Sequence, residues 1–340
     1  MYSDDEIIEN YSGEETQLVS GNEGNFKTFL KSIEKKFGKE CIMSLDFKEN
    51  AKVKRCSSGF LSLDAILGGG FPCGRIIEIF GPESSGKTTL AIHAIAEIIK
   101  NGGHALYIDA EHALDKTYVE QLISNKQNFY LAQPDNGEIA FELICNTCNN
   151  IDIIVVDSVA SLIPKVELDG ELQDVVIGAQ ARLMAKGLRK VVQVNKKAII
   201  IFINQLRTNP GAYGAAKETT TGGVALKFYA TIRLEIRKSE LIKDKNNVTV
   251  GVKVKFRTVK NKVSPPYRSC FMNICYGKGF DRYADILEIA VERGFIKKTS
   301  SWYEYNNKKI GQGSEKAALF LEQNPKETNE IVSKIKSRLN

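Results

Sequence analysis

A chain of 340 residues with 43% hydrophobic and 26% charged side chains is long enough to bury a large core, which excludes a disordered chain. No run approaches the roughly 18 uninterrupted apolar residues of a membrane helix. The start lacks the basic opening and apolar stretch of a secretory signal and the Arg-rich character of a transit peptide, so the cytoplasm is the expected location.

The net charge of +6 is unevenly spread, because residues 1–24 hold seven acids and no Lys or Arg. That acidic leader is expected to be solvated and disordered. The basic remainder suits a polyanion such as nucleic acid. Residues 25–37, NFKTFLKSIEKKF, place Phe26, Phe29, Leu30, Ile33 and Phe37 at helical spacing, and Gly38 stops the helix. Such a helix packs either on its own core or, as an arm, on another subunit; periodicity does not separate the two.

From about residue 60 strands and helices alternate. GRIIEIF, HALYID, QNFYLA, IDIIVVD and KAIIIFINQ read as strands. KTTLAIHAIAEIIK, LDKTYVEQLISN, 137–148 and 178–194 read as helices between them. Continuous apolar strands separated by helices predict an α/β fold, a mostly parallel sheet covered on both faces. Residues 224–260 alternate apolar and basic side chains and suggest strands with one exposed face; their opening VALKFYA also fits a helix. The last 55 or so residues predict two or three amphipathic helices around a hairpin-like SWYEYNNKKIGQG, a small α/β domain. The seven cysteines are odd in number and scattered, which predicts reduced thiols. Only Cys145 and Cys148 form a C-x-x-C, and His93, His104 and His112 lie elsewhere, so no zinc site is expected.

The chemistry concentrates in FGPESSGKTT. Gly81, Pro82, Glu83, Ser84, Ser85, Gly86, Lys87 and Thr88 fit G-x-x-x-x-G-K-[ST] between a strand and a helix. Backbone amides unobstructed by large side chains curl around a phosphate, and the following helix adds its positive end. Lys87 would neutralise β/γ charge, and the Thr88 hydroxyl would coordinate Mg²⁺. Asp157, closing IDIIVVD, is the expected metal-supporting acid. Glu111 and Asp109, in DAEHALD, are equally placed by spacing to activate water.

The stretches LSLDAILGGGFPCGRIIEIFGPESSGKTTLAIHAIAE, YIDAEHALDKTY, IIVVDSVASLIPKVELDGE, IFINQLR, ETTTGGVALKFYATIRLEIR and VKNK resemble, in order, the bacterial RecA recombinases. That resemblance implies a RecA-type P-loop ATPase core (48–281) with ATP and Mg²⁺ as cofactors, after a leader (1–24) and a polymerisation arm (25–47) and before a C-terminal domain (282–340). It implies Glu111 as water activator, Asp157 and Thr88 at the metal, and Gln205 as γ-phosphate sensor. Thr89, Asp115, Tyr118 and Tyr276 join the loop in binding the nucleotide, and Lys260 and Lys262 reach a neighbour's γ-phosphate.

The polar loop after Gln205 is implied to bind single-stranded DNA, with Arg207, Gly222 and Gly223. A second DNA segment, ELDGELQDVVIG, brings Ile177, Arg182 and Arg189. Partners would be single-stranded and homologous duplex DNA, further copies of the chain in a helical filament, and a LexA-type repressor of the SOS response. Function would be ATP-dependent homologous recombination and repair, pairing and exchanging strands with DNA-dependent ATP hydrolysis that recycles subunits. Two departures stand out: Pro210 replaces the apolar side chain usual in the main DNA loop, and no acidic C-terminal tail follows. A ring-forming helicase is disfavoured by VKNK and the arm, and a passive single-strand coat would not require Lys87 or Glu111.

Overall fold

The computed structural model describes residues 23–38, 41–42, 53–123, 125–171, 176–208 and 218–338. Most of the acidic leader and Pro210 lie outside them. The chain divides into two units, Met1–Lys52 and Val53–Asn340. In the first, α1 (Glu23–Phe37) ends where Gly38, at φ 97°, donates its amide to the Glu34 carbonyl. A side chain would strain that left-handed cap. Phe26, Phe29 and Phe37 are exposed on this helix.

The second unit opens with β1 (Arg55–Cys56), α2 (Leu61–Leu67) and β2 (Phe71–Pro72), with β1 and β2 paired antiparallel. Then come β3 (Ile76–Gly81), α3 (Lys87–Lys100), β4 (Ala105–Asp109), α4 (Lys116–Leu122), β5 (Phe129–Ala132), α5 (Gly137–Thr147) and β6 (Ile153–Asp157). After α6 (Lys165–Leu168) and α7 (Ala179–Val194) follow β7 (Ile199–Thr208), β8 (Glu218–Thr220) and α8 (Ala225–Tyr229). Antiparallel strands β9 (Ile232–Lys243), β10 (Thr249–Asn261), β11 (Ser269–Cys275) and β12 (Gly279–Phe280) complete the sheet.

Its order is β12-β11-β10-β9-β3-β7-β6-β4-β5, with β8 on β7. Each successive pair from β9 to β5 is parallel, whereas β9 to β12, and β8 on β7, pair antiparallel. Alternation along the central strands sorts side chains to two faces. Ile77, Ile79, Val155 and Ile201 join α3 in one core; Ile76, Ile154, Ile200 and Phe202 join α5 and α7 in the other. This is the expected α/β fold with a mostly parallel sheet. The alternation expected from residue 224 begins only at Ile232, because Ala225–Tyr229 is the helix that VALKFYA also fitted.

The end of the chain forms α9 (Arg282–Glu292), β13 (Lys297–Thr299), β14 (Trp302–Tyr305), β15 (Lys308–Gln312), α10 (Ser314–Gln323) and α11 (Pro325–Ser337). The expected hairpin gains β13 as a third strand. Their core includes Ile286, Tyr303, Leu321 and Ile331 together with Leu61 of α2. Buried Asp285 ties the two parts by accepting the Leu61 amide at 2.7 Å and the Ser62 amide at 3.3 Å. Burial pushes its carboxyl up to about 6.

Candidate functional site

β3 delivers the phosphate loop at the centre of the sheet, which is where an open parallel sheet presents a crevice at its carboxyl ends. A Cβ on Gly81 would sit 2.1 Å from the Ile236 carbonyl oxygen, and one on Gly86, at φ 95°, would sit 2.4 Å from the Ile274 side chain. Only glycine fits both places. Gly86 opens α3 without a side-chain cap, leaving the helix's first amides available to an anion. The Ser85 hydroxyl is buried with no hydrogen-bond partner among the described residues. A narrow cradle with an orphaned hydroxyl and a helix N-terminus fits a phosphate. Lys87 donates from Nζ to the Gly81 and Pro82 carbonyls at 3.2 and 2.7 Å, and burial lowers its pKa against the pull of Asp157 and Glu111.

A cavity of about 350 Å³ is bounded by Ser84–Thr89 on one side and Tyr118, Ile274, Tyr276 and Gly277 on the other. Two aromatic rings and an aliphatic wall beside a phosphate loop suit a planar base. Asp115 does not line this cavity. It caps α4, accepting the Thr117 and Tyr118 amides at 2.9 and 3.2 Å, and so positions the helix that carries Tyr118.

Thr88 donates from its hydroxyl to Asp157 Oδ2 at 2.6 Å, and Tyr107 donates to the same oxygen at 2.6 Å. Burial raises the Asp157 pKa, and these two donors oppose it. A hydroxyl and a carboxylate this close are the hard oxygen pair a Mg²⁺ ion requires. The peptide bond from Asp157 to Ser158 is cis. Ser158 and Gln205 both donate to Glu111 Oε1, the glutamine at 3.1 Å. Geometry therefore separates the two acids that spacing left equal. Asp109 is buried and committed to the Ala113 and Leu114 amides and the Gln133 side chain, whereas Glu111 is exposed at the open end of the loop.

Gln205 pairs in register with Gly81 across β7 and β3. Its neighbour Asn204 is fully buried and saturated. It donates to Glu78 Oε1 at 2.9 Å and the Thr221 carbonyl at 3.1 Å, and accepts the Gln205 amide at 2.9 Å and the Thr221 hydroxyl at 2.6 Å. Glu78, also buried, is ion-paired with Arg233, whose guanidinium lies over Phe80. Sequence reasoning missed Asn204, Glu78 and Arg233. The signal was there, since a lone acid inside RIIEIF and an amide inside IIIFINQ demand partners.

Thr221 leads into Gly222 and Gly223, at φ 79° and 77°. A Cβ would meet Val159 at 2.6 Å from the first and Ala181 at 2.9 Å from the second. The two glycines are thus packed against the turn after Asp157 and against α7. Gln180 of α7 bonds the Val159 and Ala160 carbonyls, a further residue missed from sequence. At the start of α7, Ile177 is 83% exposed and its carbonyl accepts from Arg182 at 3.0 Å. Arg182, Arg189 and Arg207 are exposed.

Lys260 and Lys262 lie elsewhere. Lys260 donates to the carbonyls of Lys227 and Phe228, and Lys262 to that of Phe228, at the end of α8. The Lys262 amide bonds the Thr231 carbonyl, and the Thr231 amide bonds Ile76, the first residue of β3. The two lysines therefore sit at the amino end of the strand that carries the phosphate loop at its other end, about 16 Å away at 3.3 Å per residue.

The model of the RecA N-terminal domain matches residues 25–281, and that of the RecA C-terminal domain matches 284–340. The chain belongs to the RecA family. Proteins named Protein RecA are 49% identical over 312 residues in Halalkalibacterium halodurans, covering 90% of this chain and 89% of the relative. In Brevibacillus brevis the identity is 48% over 323 residues, covering 94% and 92%. As a RecA recombinase this protein acts in homologous recombination and DNA repair, is a nucleotide-binding, DNA-dependent ATPase, and forms filaments on DNA. No helix among the described residues is long and apolar enough to cross a membrane.

Proposed function

We propose that the nucleotide is ATP with Mg²⁺, held by Gly81–Thr89 at a seam between protomers and completed there by a neighbour's Lys260 and Lys262. When bound, ATP supplies the phosphoryl group whose transfer to water resets DNA affinity. Thr88 and Asp157 would hold the ion, and Lys87 would move from its loop carbonyls to the phosphates. Tyr118 and Tyr276 would flank the base. Glu111, positioned by Ser158, would orient and deprotonate water. The amino-end placement of Lys262 supports action on another copy's site, since one chain's lysine and phosphate loop stand at opposite ends of β3. The exposed aromatic side of α1 suits docking as an arm on a neighbouring protomer.

A single observation carries the coupling. Gln205 holds Glu111 at 3.1 Å while the adjacent Asn204 holds Thr221 by two hydrogen bonds. A shift of Gln205 toward a γ-phosphate therefore drags the segment that ends in Gly222 and Gly223. That segment, with Arg207, Ile177, Arg182 and Arg189, would grip single-stranded DNA and admit a homologous duplex. The cytoplasm is the proposed location, and a LexA-type repressor the proposed further partner of the active filament. Gln205→Ala tests the coupling: nucleotide binding should persist, while the rise in single-strand affinity caused by a slowly hydrolysed ATP analogue should vanish. A rise of ordinary size in this variant would refute the reading.

A further inference from the structure

Two of the seven cysteines meet outside the site described above. Cys56 ends β1 and Cys73 follows β2. Cys56 pairs with Phe71, and the Cys73 amide bonds the Lys54 carbonyl at 2.8 Å. Cys73 therefore stands opposite Lys54, two residues from Cys56 and on the same face of the ribbon. The two sulfurs are 3.5 Å apart in a hydrogen bond. The proton shared between them holds Cys73 below the usual thiol range, with desolvation opposing and the Lys54 ammonium assisting, and pushes Cys56 up, with desolvation adding to the rise. The sulfur relieved of its proton by this contact is the better nucleophile of the two. Both are half-buried and open to a small oxidant. The C-x-x-C of α5 differs, because the Cys148 thiol donates to the Cys145 carbonyl and not to its sulfur.

We propose that Cys56 and Cys73 form a reversible disulfide site, oxidised by hydrogen peroxide, that controls the face bearing Lys262. The Cys73 thiolate attacks a peroxide oxygen, the O–O bond breaks, and the departing hydroxide takes a proton to leave as water. The Cys56 sulfur, giving up its proton, then attacks the sulfenic sulfur and expels a second water. Two electrons leave the two thiols and reduce one peroxide to two waters. An external dithiol reverses the bond by exchange.

Closing the sulfurs from 3.5 Å to the roughly 2.05 Å of a disulfide draws β1 toward β2. Arg55, next to Cys56, donates to the Val263 carbonyl at 2.7 Å and the Leu67 carbonyl at 3.1 Å, so the ribbon is fastened to the turn after Lys262. Cys73 and Lys262 also line the same cavity of about 730 Å³. The ribbon has little slack elsewhere, since a Cβ on Gly70 would sit 2.3 Å from the Cys56 carbonyl oxygen. The bond therefore pulls on the turn that carries Lys262. This consequence rests on the proposed action of Lys262 on a neighbour's nucleotide.

The test uses the full chain carrying Cys41→Ser, which removes an exposed thiol able to cross-link copies. The protein is exposed to stoichiometric hydrogen peroxide, mapped by peptide mass spectrometry without reductant, and assayed for single-strand-stimulated ATP hydrolysis before and after dithiothreitol. The expected result is a peptide joining Cys56 to Cys73, loss of most stimulated turnover, and recovery with the dithiol. Cys56→Ser and Cys73→Ser should keep their turnover through the same treatment. A bond between other cysteines, sulfinic acid at Cys73, or a mapped Cys56–Cys73 bond with unchanged turnover would overturn the proposal. Absence of stimulated turnover in the reduced protein would instead sink the functional reading, and the peptide map would still decide the disulfide.

Discussion

Replacing Asn204 by alanine tests the strut between the nucleotide end of β7 and the segment that follows it. The side chain has no exposed surface and makes four hydrogen bonds, to Glu78, to the Gln205 amide and twice to Thr221. Truncation leaves the buried Glu78 Oε1 without this partner, at a cost of about 1–3 kcal/mol, and frees the half-buried Gln205 amide. Thr221 is half-buried and recovers water, and Arg233 still serves the other oxygen of Glu78. The net loss should therefore be about 2 kcal/mol, read as a lower urea midpoint at unchanged slope. Under folding conditions nucleotide affinity should change little, because no Asn204 atom lines the loop cavity. The rise in single-strand affinity on adding the ATP analogue should collapse. A stability change below about 1 kcal/mol would mean the orphaned groups find other partners. An intact rise in DNA affinity would show that Gln205 and Thr221 communicate by another route.

Glu111→Gln should bind nucleotide and DNA yet lose turnover by about 10²–10⁴-fold, measured by phosphate release; near-normal hydrolysis would move the water-activating role elsewhere. An equal mixture of Glu111→Gln and Lys262→Ala protomers, each inactive alone, should regain about one quarter of normal turnover, because one junction in four pairs an intact Glu111 with a neighbour's intact Lys262. No recovery would refute action between protomers. Gly222→Ala forces φ 79° and a 2.6 Å approach to Val159 on a β-carbon, and should destabilise by about 2–4 kcal/mol. Adding Val159→Ala should recover part of that loss, a non-additivity read in a double-mutant cycle. Asp285, raised to about 6 in the folded chain from an ordinary 3.8, binds its proton more tightly folded than unfolded. Stability relative to Asp285→Asn should therefore fall by up to about 3 kcal/mol as pH rises from 4 to 7 in urea titrations. A flat difference would place the carboxyl's pKa in its usual range.

The parallel core was legible because its central strands are buried on both faces and so read as unbroken apolar runs, IIVVD or IIIFIN, between helices. The phosphate loop was legible because backbone shape alone demands its glycines. What spacing left open was any property set by strand order. Asp109 and Glu111 are two residues apart, and only the placement of Gln133 on one and of Gln205 and Ser158 on the other distinguishes them. Glu78 and Asn204 are separated by 126 residues and meet because β3 and β7 are neighbours. Each residue announces a buried polar group, and neither names its partner. The anchoring of the C-terminal part through Asp285 was hidden for the same reason, 224 residues from Leu61. The third strand β13 escaped notice because KKT carries no apolar side chain, yet an isolated hairpin is marginal and a third strand supports it.

Strand parity accounts for the use of adjacent residues in the proposed coupling. Successive side chains of a strand point to opposite faces, so Gln205 and Asn204 address Glu111 and Thr221 respectively without any intervening lever. Displacement of one is transmitted to the other through a single peptide unit, which is stiff. A relay two residues long would place both side chains on one face and lose the connection. The same sheet separates Lys260 and Lys262 from their own phosphate loop by the length of β3, so on the proposed reading the nucleotide site is completed by a second copy. Assembly on DNA would then be a condition for efficient hydrolysis, and hydrolysis would in turn act on the proposed grip that holds the assembly. On that proposal, stimulation of the ATPase by DNA would follow from the length of one strand and the alternation of another.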